Sequence, residues 1–226
     1  MCIIGFGRMG KAALRVFSPR FNVAIISRRN AQPEIEKALA KADYVFLAVP
    51  IEGLDHWVPQ INELSKPGSV VMDCCTIRQA ANDKLSRIER RHFGLPEIGG
   101  QELPVDGEPD PVIRNYLKEQ GCRLYPIETE GKPVMGIAHF IGMALDLNLT
   151  EEERVALSRA GSGRYLLQLI EHLKTNSPST YKETQLLDLG MSARRKEVIE
   201  WLKNMDDELS RGEFRFKPYP PDRWRE

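Results

Sequence analysis

The stretch Ile3-Ile4-Gly5-Phe6-Gly7-Arg8-Met9-Gly10 constrains this chain more than any other. An apolar pair leads into G-x-G-x-x-G, and Lys11-Ala12-Ala13-Leu14-Arg15-Val16-Phe17 then reads as a helix. In a strand–turn–helix each glycine has its own task. Gly5 permits the tight turn, Gly7 lets the backbone approach a pyrophosphate, and Gly10 lets the helix pack close to the strand. The free amide donors of the helix N-terminus face the negative charge. The segment Gly5, Phe6, Gly7, Arg8, Met9 and Gly10 is therefore the predicted cradle of a dinucleotide.

The end of the next strand bears on which dinucleotide. Ser18-Pro19-Arg20 breaks the helical pattern, and 21–26 reads as a buried strand. An NAD-selective fold places Asp or Glu about 20 residues past the glycines, on the ribose 2′-hydroxyl. Here the strand runs into Ser27-Arg28-Arg29-Asn30. A hydroxyl and two guanidinium groups suit a 2′-phosphate, because arginine offers a fork that matches phosphate oxygens. Ser27, Arg28 and Arg29 predict NADP in preference to NAD.

The pattern continues as alternating helices and short apolar strands. Helices are predicted over 33–41, 54–64, from 76 to about 90, and 111–119. Strands are predicted over 44–50, 69–73, 92–95 and 122–125, and 96–110, rich in Pro, Gly and acids, reads as a loop. Only about a dozen residues separate the second strand from the third, so the first half of the nucleotide fold is abbreviated. After Lys132-Pro133 the apolar residues recur at helical spacing alone, giving helices at about 134–147, 150–158, 163–176, 179–189 and 192–211. Thr150-Glu151-Glu152-Glu153 reads as a capping box. The predicted organisation is a nucleotide-binding α/β domain over 1–130, an all-α domain over 131–213 and a tail over 214–226. So many amphipathic helices in so short a segment predict a homodimer completed through the C-terminal helices.

Composition excludes several classes of partner. Lys plus Arg and Asp plus Glu balance at 32 each, so no global field recruits nucleic acid or an acidic membrane. No apolar run reaches the roughly 20 residues that cross a bilayer, and no leader segment is read at the start. Cys2, Cys74, Cys75 and Cys122 show no metal-ligand spacing and read as reduced thiols of a cytoplasmic protein.

Taken in order, these motifs resemble the prephenate and arogenate dehydrogenase family of tyrosine biosynthesis. The resemblance rests on G-F-G-R-M-G, on L-A-V-P at 47–50, and on D-C-C-T-I-R at 73–78, which is similar to the family's D-x-x-S-x-K. It continues in A-H-F at 138–140 and in the late run R-Y-L-L-Q-L-I-E-H, ending near Ser177-Pro178 and Tyr181. It implies a Rossmann-type domain followed by an all-α dimerisation domain. It also implies Val49 and Pro50 beside the nicotinamide ribose, and Thr76 where a family serine bonds the substrate hydroxyl. His139 matches a histidine at the cleft mouth. Arg164 matches a basic residue of the late helix, and His172 stands where an arginine binds a substrate carboxylate. Eight residues is about two helical turns, so Arg164 and His172 share a face.

The chain departs from the family at the base. The family's catalytic histidine lies in G-x-H-P after a strand, and the matching stretch here is Gly94-Leu95-Pro96-Glu97. Pro96 stands at the histidine position and can accept no proton. Glu97, if burial raised its pKa, and His92 are the two candidate substitutes. Two readings follow from the resemblance. One is an NADP-dependent oxidoreductase that decarboxylates a cyclohexadienyl acid of the aromatic pathway. The other is a dehydrogenase-like protein without the family's base, which binds cofactor alone or acts on another small carboxylate.

Overall fold

The structure, a computed structural model, describes residues 1–27, 29–127, 140–142, 144, 149–159, 161–175, 185–187 and 190–212, without the side chains of 161–163, 165, 172 and 175. The elements of the first part alternate. They run β1 (Cys2–Ile4), α1 (Arg8–Phe17), β2 (Ala24–Ile26), α2 (Gln32–Lys41), β3 (Tyr44–Leu47), α3 (Ile51–Leu64), β4 (Val70–Asp73) and α4 (Arg78–Leu85). β5 (Arg91–Gly94), β6 (Glu102–Val105), α5 (Pro111–Glu119) and β7 (Arg123–Pro126) follow. Among the described residues beyond these, α6 (Glu151–Arg159), α7 (Gly161–Thr175) and α8 (Met191–Ser210) are the long helices, and no strand occurs. A Rossmann-type α/β fold with a helical C-terminal part is what the periodicity predicted.

Five parallel strands form the main sheet in the order β2-β1-β3-β4-β5. A single strand lies outside β1, which is the abbreviation that the short spacing implied. Successive residues of a strand point to opposite faces, and the core divides accordingly. Cys2, Ile4, Val45, Leu47 and Val71 pack on one face against Leu39 of α2, Leu54 and Ile61 of α3, and Leu85 of α4. Ile3, Phe46, Met72 and Phe93 pack on the other, against Ala13 and Phe17 of α1 and Ile113 and Leu117 of α5. Phe17, Phe21 and Tyr116 form an aromatic cluster beneath that second layer, and Tyr116 donates to the Val16 carbonyl. Asp110 caps α5, accepting from the Val112 N–H at 2.9 Å, and also accepts from the Tyr44 hydroxyl at 3.0 Å.

Some boundaries differ from the sequence reading. β2 begins at Ala24, β3 ends at Leu47, and α4 stops at Leu85. The stretch 96–110 is not all loop, because β6 lies within it. β6 pairs in parallel with β7 and joins the main sheet through a bridge between Asp106 and Gly94. Pro104 interrupts the alternation there, and a proline is tolerated where one side of a strand has no ladder partner. The capping box at Thr150 is present, with the Thr150 N–H on Glu153 Oε2 at 2.8 Å and the Glu153 N–H on Thr150 Oγ1 at 3.2 Å. Among the described residues no helix is long and apolar enough to cross a membrane. The predicted helices over 134–147 and 179–189 lie mostly outside the described residues.

Candidate active site

Strand register builds the site. Ile4 pairs with Leu47, Leu47 with Asp73, and Asp73 with Gly94, so four strands end level with one another. Their loops therefore emerge side by side: Gly5–Gly7, Ala48–Pro50, Cys74–Ile77, and Leu95 onward. β1 and β3 are neighbours whose chains leave in opposite directions across the sheet, and ligands of such sheets bind outside that point.

The glycine turn is fixed by close packing. Gly5 has φ +94°, and a Cβ there would overlap the Ala48 carbonyl oxygen. A Cβ on Gly10 would overlap the Gly5 carbonyl, which is the close helix–strand approach the motif predicts. Gly7 differs, because nothing lies within 4 Å of where its Cβ would sit. Its backbone faces open space at the head of α1, as an anion cradle requires. Phe6 and Arg8 are exposed there and Met9 is half-buried. Lys11 Nζ lies 5.8 Å from the centroid of the Phe6 ring. Sequence reasoning passed over this extra cation, although its position one turn into the helix was readable.

At the end of β2, Ser27 and Asn30 close a tight turn. Asn30 Oδ1 accepts from the Ser27 N–H at 2.8 Å and from Ser27 Oγ at 3.0 Å. Ser27 Oγ in turn accepts from the Arg29 N–H at 3.3 Å. Arg29 is exposed, and Arg28 lies outside the described residues. Glu34, the first acid after β2, accepts from Asn30 Nδ2 at 2.9 Å and the Ala31 N–H at 3.2 Å. It thus serves the start of its own helix.

The 73–78 segment is held by a buried ion-pair network. Arg78 Nη1 donates to Asp73 Oδ1 at 2.6 Å and to the Cys75 carbonyl at 2.9 Å, and Nη2 donates to Asp73 Oδ2 at 3.0 Å. Arg78 Nε donates to Asp106 Oδ2 at 2.7 Å, which also accepts from Asn82 Nδ2 at 2.8 Å. Burial pulls the Arg78 guanidinium down, but the Asp73 and Asp106 carboxylates outweigh it and raise its pKa. Burial pushes Asp106 up, but the bonds from Arg78 and Asn82 prevail and hold its carboxyl below the usual range. Arg78 therefore joins β4 to the β5–β6 bridge. Its charge is spent inside the fold, and the exposed side chain of the 73–78 segment is Thr76. Burial and the Asp73 carboxylate push Cys74 up to about 12 and Cys75 well above its ordinary value. All four cysteines are free.

Among the described residues, the glycine turn, Val49-Pro50 and the Thr76 loop share one edge of the sheet. Val49 is half-buried and Pro50 exposed at the end of β3, beside the Thr76 loop. Pro96 is buried just past the end of β5. Glu97 is exposed, so the burial that its use as a base called for is absent, and that expectation is corrected. His92 sits within β5, opposite Val71, two positions short of the level strand ends. Arg164 is exposed on α7. His139 and the side chain of His172 lie outside the described residues.

No family model matches the chain, and no curated protein sequence does. Solved structures do. The fold is similar to that of prephenate dehydrogenase from Aquifex aeolicus in complex with hydroxyphenyl propionate and NAD+. The identity is 13% over 93% of this chain and 90% of that one, with a TM-score of 0.61. A Corynebacterium glutamicum protein provisionally described as a prephenate dehydrogenase gives 16%, 92%, 81% and 0.68 for the same measures. Synechocystis arogenate dehydrogenase gives 14%, 94%, 92% and 0.54. Likeness at this identity is likeness of fold.

Proposed function

We propose that the chain is an NADP-dependent dehydrogenase that oxidises and decarboxylates a cyclohexadienyl acid, prephenate or arogenate. The observation that carries this reading is the level ending of β1, β3, β4 and β5, which gathers the glycine turn, Val49-Pro50 and Thr76 on one edge. The open space at Gly7 and the exposed Arg8 suit a dinucleotide. When bound, the nicotinamide ring supplies a hydride acceptor.

The chain's own part is binding and orientation. Amides at the head of α1 and Arg8 meet the pyrophosphate, and Ser27, Arg28 and Arg29 meet the 2′-phosphate. Val49 and Pro50 wall the reacting end. Thr76 offers its hydroxyl to the substrate hydroxyl, and Arg164 and His172 meet substrate carboxylates. Hydride leaves the carbon that bears the hydroxyl, the ring carboxylate departs as carbon dioxide, and the product keeps the oxygen as a phenol. Placement against the acceptor contributes much of such a rate. His139 is the remaining basic group assigned to the cleft. Product analysis tests the reading: prephenate or arogenate with NADP should yield the corresponding aromatic acid and carbon dioxide in equal amounts.

A second reading is favoured by the buried Pro96 and the exposed Glu97. In it the protein binds the dinucleotide but leaves both substrates unchanged. Retained cofactor binding without aromatic product decides for it.

A further inference from the structure

A concavity of about 460 Å³ lies between α1 and α5, within the range of roughly 300–1,000 Å³ of small-molecule sites. It is set back from the edge that gathers the glycine turn, Val49, Pro50 and Thr76, and none of those residues lines it. Arg15, on its wall, stands seven residues along α1 from Arg8, about 10 Å from the head of the helix. Leu103 stands three residues back along β6 from Asp106, whose bridge to Gly94 marks the level strand ends. The walls are tied to one another. Tyr116 of α5 donates to the Val16 carbonyl of α1. Cys122 Sγ donates to the Gly100 carbonyl at 3.5 Å, and the Arg123 N–H to the Gln101 carbonyl at 2.7 Å. A site held in shape before binding loses less freedom when a ligand enters.

Its chemistry is two-sided. Ile98, Leu103 and Leu117 are buried and form an apolar floor. Arg15, Gln101 and Gln120 are exposed and form a polar rim. Among the described residues, Arg15 is the one charged group of the lining, and its guanidinium has no hydrogen-bond or ion-pair partner. The side-chain amides of Gln101 and Gln120 have no partner there either. A guanidinium fork flanked by amide N–H donors suits a carboxylate. No acid lines the concavity, so an ammonium placed in it would meet no counter-charge. The combination favours an acid with an apolar body and disfavours an amino acid.

We propose that the concavity between α1 and α5 binds a small apolar monocarboxylate, with the carboxylate on Arg15 and the body on Leu103 and Leu117. The site is separate from the dinucleotide cradle and does not rest on the proposed reaction.

Calorimetric titration with octanoate, with and without NADP, tests this. One octanoate should bind per chain, with the same affinity in both conditions. Octanol, which lacks the charge, and 2-aminooctanoate, which adds an ammonium, should each bind more weakly. Arg15→Gln should weaken octanoate about fivefold, the upper end for an ion pair open to water. Gln120→Glu should weaken it too, by setting a like charge on the rim. Circular dichroism and the melting temperature of both variants should match those of the unmodified chain, which separates loss of the site from loss of fold. Because octanoate is titrated without turnover, a failure of the proposed reaction would leave these results standing. No binding of octanoate would overturn the proposal. So would equal affinity for octanoate and octanol, displacement of octanoate by NADP, or unchanged affinity in both variants.

Discussion

Arg78 grips Asp73 through two parallel hydrogen bonds, at 2.6 and 3.0 Å, and the loop so closed carries Thr76. The same guanidinium lies where a Cβ on Gly94 would fall. One buried cation thus fixes the Thr76 loop, the end of β5 and, through Asp106, the start of the crossing to α5. Arginine is suited to this because its planar fork satisfies two carboxylates at once, which a lysine ammonium does not.

Removing the guanidinium should therefore strand a buried carboxylate. Arg78→Ala is expected to destabilise the fold by about 3–5 kcal/mol, the range for breaking one side of a buried pair. Denaturant titration measures it. A change within about 0.5 kcal/mol, as for an ordinary surface position, would show that the network contributes little.

Acid should weaken the same network. The Asp106 carboxyl is held below the usual range in the folded state. A depressed group contributes stability above its unfolded pKa of about 3.9, and loses it as pH falls through the folded value. The stability gap between the unmodified chain and Asp106→Asn should therefore be constant from pH 7 to about 5 and shrink below about pH 4. A gap that does not depend on pH would mean that Asp106 is not the ionised partner of Arg78.

The three turn glycines should separate cleanly. Gly5→Ala forces a Cβ onto the Ala48 carbonyl at positive φ, and Gly10→Ala forces one onto Gly5. Both should lower stability. Gly7→Ala has room and a φ of −78° that alanine accepts. It should hold the fold to within about 1 kcal/mol while weakening dinucleotide binding. Equal dinucleotide affinity in Gly7→Ala and the unmodified chain would remove Gly7 from the cradle.

Much of this was legible in the sequence because the relevant constraints are local. The glycines of the first turn are demanded by a backbone path within six residues. The fully apolar β3, the Val70-Val71-Met72 run of β4 and the Asp110-Pro111 start of α5 are likewise signalled by adjacent residues. The rest depends on pairing at a distance. β6 was read as loop because Pro104 hides its alternation and its partner β7 lies beyond α5. The Arg78 network was not legible, because nothing near Arg78 in sequence announces Asp106, 28 residues on. Glu97 was a candidate base only on the premise of burial, which neighbouring residues do not fix.

Cofactor choice rests on the end of β2. NADP is expected to bind more tightly than NAD, and Arg28→Ala with Arg29→Ala to erase most of that preference. Fluorescence titration of both dinucleotides measures it. Equal affinities in the unmodified protein would contradict the assignment of Ser27, Arg28 and Arg29 to a 2′-phosphate.

The proposed activity is tested most directly by nicotinamide absorbance, followed with prephenate and with arogenate, each in the presence of NADP and of NAD. With Pro96, which accepts no proton, where the resemblance expects a histidine, the rate should be low but measurable, since general-base help contributes about 10²–10⁴-fold. Thr76→Ala should reduce it, His139→Ala should abolish it, and Arg164→Ala should raise KM more than it lowers kcat. Reduction of NADP with one of the two substrates is the predicted result. No reduction in any of the four combinations, at high enzyme concentration and saturating cofactor, would contradict the proposed function.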